Sequence, residues 1–96
     1  MYKRVYVVEP THDVSGLLQF AEKIVFLFSG YESSVLELRE AFERNIAEFE
    51  ATTDAFVPIG KMRDVTVASM LLRSKTKLPI SVGIYRDKTY TFERIQ

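Results

Sequence analysis

The run "IVFLF" (24–28) shows no alternation of apolar and polar residues. A strand that is apolar on both faces belongs in a sheet covered on both sides. The run passes at once into the polar turn "SGYESS" (29–34). Beyond it Val35, Leu38, Phe42, Ile46 and Phe49 step by three or four residues. That spacing makes one apolar stripe on a helix. A strand feeding a helix through a short turn must pack helix against sheet, so this stretch commits the chain to an α/β architecture. Ser34 followed three places later by Glu37 is a capping box and sets the helix start. The stripe carries the helix from Ser33 to about Thr52, with Glu40 and Arg44 as an i,i+4 ion pair on its outer side.

The flanking segments supply the other elements. "KRVYVVE" (3–9) is a strand stopped by Pro10. Asp13 is the expected N-cap of a short helix over "VSGLLQFAEK", which Gly16 weakens by about 1 kcal/mol relative to alanine. "DAFVPIG" (54–60) is a strand ending near Pro58, because proline has no N–H for a sheet ladder. Asp64 is the expected N-cap of a helix over "VTVASMLLRSK". There Val65, Ala68, Leu71 and Leu72 share a face, and Arg73 and Lys75 sit at the negative end of the helix dipole. "PISVGIY" (79–85) and "TYTFERI" (89–95) alternate across "RDK" and form a β-hairpin. The expectation is one domain over 1–96, a three-layer α/β/α with order β-α-β-α-β-α-β-β. Its sheet is mixed, with "IVFLF" central and a C-terminal antiparallel hairpin.

This order, "IVFLF" feeding a polar turn and long helix, and the tail "KLPISVGIYRDKTYTFERI" resemble the thioredoxin-like family over nearly the whole chain. The resemblance implies that Pro79, preceded by Leu78, opens an antiparallel hairpin through a cis peptide bond. It also implies thiol chemistry where the apolar strand meets the long helix. The chain departs from the family there: it has no cysteine, and Ile80 stands where the family has threonine. Thiol–disulfide exchange needs a thiolate, which serine cannot replace. The resemblance therefore implies a redox-inactive member, of the kind that binds proteins or peptides as an adaptor, assembly factor or chaperone-like accessory.

Other chemistry finds little support. Ser33 or Ser34 as a nucleophile needs an adjacent base, and the single histidine, His12, lies in the loop after the first strand. Helix capping accounts for both serines. In "EPTHD", Glu9, His12 and Asp13 offer metal-ligand types with no second cluster to complete a shell. "SGYESS" has one glycine, against the several of a phosphate-binding loop. No catalytic residue, cofactor or metal is assigned. Thirteen basic residues balance thirteen acidic ones, so net charge demands neither nucleic acid nor membrane. Glu22 and Lys23 interrupt the most apolar stretch, Leu17 to Phe28. "MYKRVYVVEP" has no apolar secretory core, which gives a cytoplasmic expectation.

Charge is nonetheless unevenly spread. Residues 1–56 hold five basic and ten acidic side chains, and residues 57–96 hold eight and three. If the strand after Pro79 is antiparallel, Tyr31, Ser33, Lys61, Arg63, Lys77, Leu78 and Pro79 gather at one sheet end. Aromatic and basic composition there suits a partner-binding face. The expected partner is another protein or an extended peptide, the latter pairing with a backbone edge beside Pro79. A homodimer through the terminal edge strand is a further expectation. Two alternatives compete. One is a glutathione- or small-molecule-binding, transferase-like activity without cysteine, in a pocket beside Tyr31 and Pro79. The other is nucleic-acid binding by the basic C-terminal half, which lacks a basic helix or an aromatic platform.

Overall fold

A computed structural model describes residues 1–96. Five strands form one sheet: β1 (Tyr2–Val7), β2 (Ala21–Phe26), β3 (Asp54–Val57), β4 (Ile80–Arg86) and β5 (Thr89–Ile95). Their spatial order is β2-β1-β3-β4-β5. β1 pairs parallel with both β2 and β3, β3 pairs parallel with β4, and β5 alone runs antiparallel. Helix α1 (Val35–Asn45) joins β2 to β3, and α2 (Met62–Lys75) joins β3 to β4. A five-residue 3-10 helix, Ser15–Gln19, lies between β1 and β2. The α/β class and the mixed sheet with its terminal hairpin follow the sequence expectation; a 3-10 turn stands where the first of three expected helices would be.

The placement of "IVFLF" does not. Its strand, β2, is an edge of the sheet. Ile24 packs into the core on one face, while Val25, Leu27 and Phe28 pack into the core on the other. The apolar run thus has contacts on both faces of an edge strand, although Phe26, on the Ile24 face, remains exposed.

β4 is the second correction. It runs parallel to β3, with Ala55 opposite Ser81 and Phe56 opposite Val82. Pro79 therefore opens a parallel strand, and its peptide bond is trans like every other. β4 also has a neighbour on each side, so no free backbone edge exists beside Pro79.

The layers are unequal as well. α1 and α2 lie on the same face and share one core with the sheet, built from Tyr6, Leu38, Phe42, Ile46, Phe56, Ala68 and Leu72 among others. The other face carries the 3-10 helix, with Leu17 fully buried, and a set of aromatic rings. Phe92 lies 5.0 Å from Tyr2 and 5.4 Å from Phe20, and Phe20 lies 6.3 Å from Tyr90. The rings meet one another at steep angles, 48° to 73°, on a face whose strand residues include the small Ala55 of β3 and Gly83 of β4. A Cβ on Gly83 would fall 2.4 Å from the Phe92 ring. A long helix was not needed to bury this face, and the expected one over 14–23 is reduced to one tight turn. Asp13 does not cap it. The N-cap position is Val14, and Asp13, one residue earlier, accepts the N–H of Ser15, the first residue of the turn, through Oδ1 at 2.9 Å.

α1 begins as expected and ends early. Ser34 caps it by accepting the Glu37 N–H, and Glu37 reaches back to the Ser33 N–H, one residue further than a standard capping box. At the other end Asn45 Nδ2 donates to the Leu27 carbonyl at 2.8 Å. The chain then turns under the buried Asp54, which accepts from the Glu50 N–H at 2.8 Å and from Arg4 Nη1 at 3.1 Å. Leu38, Phe42 and Ile46 are buried as the stripe requires, and the Phe49 ring meets Tyr6 edge-on at 5.4 Å. Val35 is 56% exposed and leaves the stripe. In α2 the N-cap is Lys61, and Asp64 lies inside the first turn.

The hairpin turn holds Asp87 at φ 53° and Lys88 at φ 66°. Both central residues are left-handed, as a two-residue turn of the primed type demands, and neither is the asparagine or glycine that tolerates it best. The double change Asp87→Asn, Lys88→Gly should therefore stabilise the fold by about 1 kcal/mol. Urea unfolding would show this as a higher midpoint with an unchanged slope.

Candidate functional site

The strand order reverses between β1 and β3: the chain leaves β1 for one side of the sheet and leaves β3 for the other. In open α/β sheets such a switch point opens a crevice at the C-terminal strand ends, where ligands bind. Here the crevice is filled by the chain's own side chains.

Glu9 follows β1, and its backbone N–H donates to the Ile59 carbonyl at 3.1 Å, which holds it beside the segment leaving β3. Its side chain is fully buried. Oε1 accepts the Lys61 N–H at 2.5 Å. A Cβ on Gly60 would sit 2.7 Å from Glu9 Cγ, so only glycine lets the carboxyl enter. Gly30, at φ +97°, brings the loop after β2 over Oε2 from the other side. Asp64, also fully buried, enters from the first turn of α2. Glu9 Oε2 and Asp64 Oδ2 have no other hydrogen-bond partner, and the two carboxyls meet each other.

Two carboxylates cannot share such a place while both are ionised; one proton between them turns repulsion into a hydrogen bond. The environment decides which one carries it. Burial, and then the hydrogen bond to Asp64, push Glu9 above the ordinary carboxylate range. For Asp64 burial acts the same way but is outweighed by the bonds from Glu9 and Arg63, and its pKa falls. Arg63 Nε donates to Asp64 Oδ1 at 2.8 Å, and Lys61 Nζ stands 3.9 Å from Oδ2. When the pair holds one proton, Glu9 is the carboxyl that carries it and Asp64 the one that stays ionised.

The same two cations hold the loop 29–34. Lys61 Nζ donates to the Gly30 carbonyl at 2.6 Å, and Arg63 Nη2 donates to the Glu32 carbonyl at 2.7 Å. Glu32 folds the loop from within, accepting from Ser29 N–H and Oγ at 2.9 Å each and from Gly30 N–H at 3.1 Å. Partial burial alone would raise the pKa of Glu32, but these donors outweigh it and the pKa is lowered. Ser33 Oγ donates to Glu37. Tyr31 is left at the tip, 90% exposed, with its N–H donating to Ser29 Oγ at 3.2 Å.

Of the expected face, Tyr31, Ser33, Lys61 and Arg63 do come together here. Lys77, Leu78 and Pro79 do not: they precede a parallel strand, so they lie at the opposite end of the sheet. A pocket beside both Tyr31 and Pro79 is excluded by the same geometry. The basic side chains are divided too, with Lys61 and Arg63 at the start of α2 and Arg73 and Lys75 in its last turn. No group of three or more histidine or acidic side chains is arranged to hold a metal ion. No helix is long and apolar enough to cross a membrane. The central residues of the site, Glu9 and Asp64, were legible only as a strand end and a helix cap. The signal that could have joined them is that each follows an apolar strand, beside glycine at 60. No family model, curated protein or solved structure matches the chain.

Several large apolar side chains reach solvent at this end among polar ones. Alongside Tyr31 stand Met62 at the start of α2, 86% exposed, and Val35 and Leu36 at the start of α1. Sequence patterning had assigned Val35 to the core and did not single out the other two.

The shared proton makes stability depend on pH. Native Glu9 keeps a proton that the unfolded chain releases near 4.5, so above that value the native state binds more protons and stability falls as pH rises through the native pKa. Asp64 contributes stability that is present above its unfolded value of 3.8 and is lost as pH falls through the lowered native one. Glu9→Gln keeps the shape and supplies a permanent N–H donor. Its stability should stay flat where wild type declines, leaving it the more stable protein at the alkaline end of a pH series of urea melts. Asp64→Asn removes the anion that Arg63 and Lys61 face and should cost about 2 kcal/mol at neutral pH.

Proposed function

We propose that the chain is a protein-interaction module that docks its partner on the sheet end where β1, β2 and β3 finish. The observation that carries this reading is a pinned loop holding a large aromatic side chain in solvent. Tyr31 is 90% exposed, while the loop around it is tied to α2 by Lys61 and Arg63 and folded on Glu32. A rigid loop loses little conformational freedom on docking, so more of the contact energy appears as affinity. Tyrosine is also among the residues that most often dominate an interface.

Met62 and Leu36, 86% and 64% exposed, extend the apolar centre, and Lys61 and Arg63 form its polar rim with roughly half of each side chain still accessible. An apolar centre with a charged rim is the usual anatomy of such a surface. Ser33 serves the loop rather than the partner. The resemblance to redox-inactive thioredoxin-like adaptors supports the same class of function through the missing cysteines. The strand order and the direction of β4 add nothing to that resemblance.

A photo-crosslinking amino acid at position 31 or 36 should trap one discrete protein adduct in cells, and Met62→Asp should abolish it without altering the circular dichroism spectrum. The same probe at position 77 should trap none. Equal trapping at 77, or an adduct indifferent to Met62→Asp, would remove this end of the sheet as the docking surface.

A further inference from the structure

We propose that β5 is a self-association edge, on which a second copy of this chain pairs antiparallel through its own β5. This inference stands independently of the docking end described above. β5 is the outer strand of the hairpin and pairs with β4 without a bulge from Thr89 to Ile95. Native proteins block such edges with proline, lysine, bulges or very short strands. None of these interrupts "TYTFERI". The other edge, β2, carries a lysine, Lys23, whereas the charges of β5 are Glu93 and Arg94.

Hairpin geometry fixes which backbone groups face outward. A two-residue primed turn is closed by a hydrogen-bonded pair, here Arg86 and Thr89, and hydrogen-bonded pairs alternate from there. Thr89, Thr91, Glu93 and Ile95 therefore spend their backbone groups on β4. Tyr90, Phe92 and Arg94 turn their N–H and C=O groups to the open side. Their side chains do not screen that side. The Phe92 ring lies over Gly83 and against Tyr2 and Phe20, Tyr90 is 9% exposed, and Arg94 donates to the Ala51 carbonyl and to Ser81 Oγ. Pairing leaves that guanidinium its own partners.

Charge selects the occupant and the register. A two-fold axis through Phe92 sets Phe92 against itself, Tyr90 against Arg94, Thr91 against Glu93 and Thr89 against Ile95 of the second copy. Every outward backbone group then meets another, the whole strand is used, and no like charges face each other. Sliding by two residues one way sets Glu93 against Glu93; sliding the other way sets Arg94 against Lys88. Like charges directly opposite destabilise a pair of strands. One strand thus complements itself in one register, as an isologous dimer requires.

The test is sedimentation equilibrium on the purified chain. Wild type should associate to a dimer. Thr91→Glu puts like charges opposite Glu93 on both sides of the axis and should weaken the dimer by roughly fivefold or more. Thr91→Glu with Glu93→Lys should restore it. Thr91 is exposed, so all variants should keep the wild-type circular dichroism spectrum. The chain has no cysteine, so introduced thiols report the register alone. Thr91→Cys mixed with Glu93→Cys should form a disulfide-linked heterodimer on oxidation, and neither should crosslink by itself. A wild type that stays monomeric, a dimer indifferent to Thr91→Glu, or crosslinking of Thr91→Cys with itself would overturn the proposal. A monomer whose β5 amides become protected only on adding another protein would assign the edge to an extended foreign peptide instead.

Discussion

The meeting of the buried Glu9 and Asp64 carboxyls, with room for one proton between them, organises the end of this molecule that carries its loops. The two carboxyls come from residues 9 and 64, on opposite sides of the switch in strand order, and both are fully buried. Without the proton they would repel at close range in a poorly solvated place. With it, Glu9 joins the end of β1 to the first turn of α2, and its other oxygen takes the Lys61 N–H. Asp64 in turn faces Lys61 and Arg63, whose remaining donors reach the carbonyls of Gly30 and Glu32. A chain of bonds thus runs from a buried acid to the loop that holds Tyr31. The crevice that other open sheets leave for a ligand is used here to fix a surface.

The opposite end is held by a different device. Arg4 and the buried Asp54 form an ion pair at 3.1 Å, and Arg4 also donates to the Glu48 carbonyl at 2.7 Å. That pair ties the start of β1 and β3 to the turn leaving α1. Between the ends, two unlike layers seal the sheet: a pair of packed helices on one face, and a short turn with a cluster of aromatic rings on the other. Neither layer reaches past β5, which leaves its outer backbone open. On the helix side, α2 and the hairpin leave a cleft of about 240 Å³ lined by Phe56, Leu72, Ile80 and Ile95.

Much of this was legible in the residues. Ser34 with Glu37, the stripe Leu38-Phe42-Ile46 and the alternating hairpin strands are local patterns, and local patterns act without knowledge of the rest of the chain. The direction of β4 shows where an analogy displaced a physical rule. Residues 58–79 hold a long helix between two strands, and such a crossover gives a parallel pair. The antiparallel direction came from the family resemblance alone, and with it went the placement of Lys77, Leu78 and Pro79. The position of "IVFLF" failed for another reason: apolarity on both faces counts covering layers, and it says nothing of how many strands flank a strand. The carboxyl pair could not be read because each acid has an ordinary local role, and their meeting depends on the order of strands that lie far apart in sequence.

The account stands or falls on where the shared proton sits. Carbon-13 chemical shifts of the Glu9 and Asp64 carboxyl carbons, followed through a pH titration of the folded protein, read it directly. Glu9 should give up its proton at higher pH than an ordinary carboxylate does, and Asp64 should ionise at lower pH than one. Two carbons that both titrate as exposed carboxylates do would contradict the shared proton and the coupling of the loop to it.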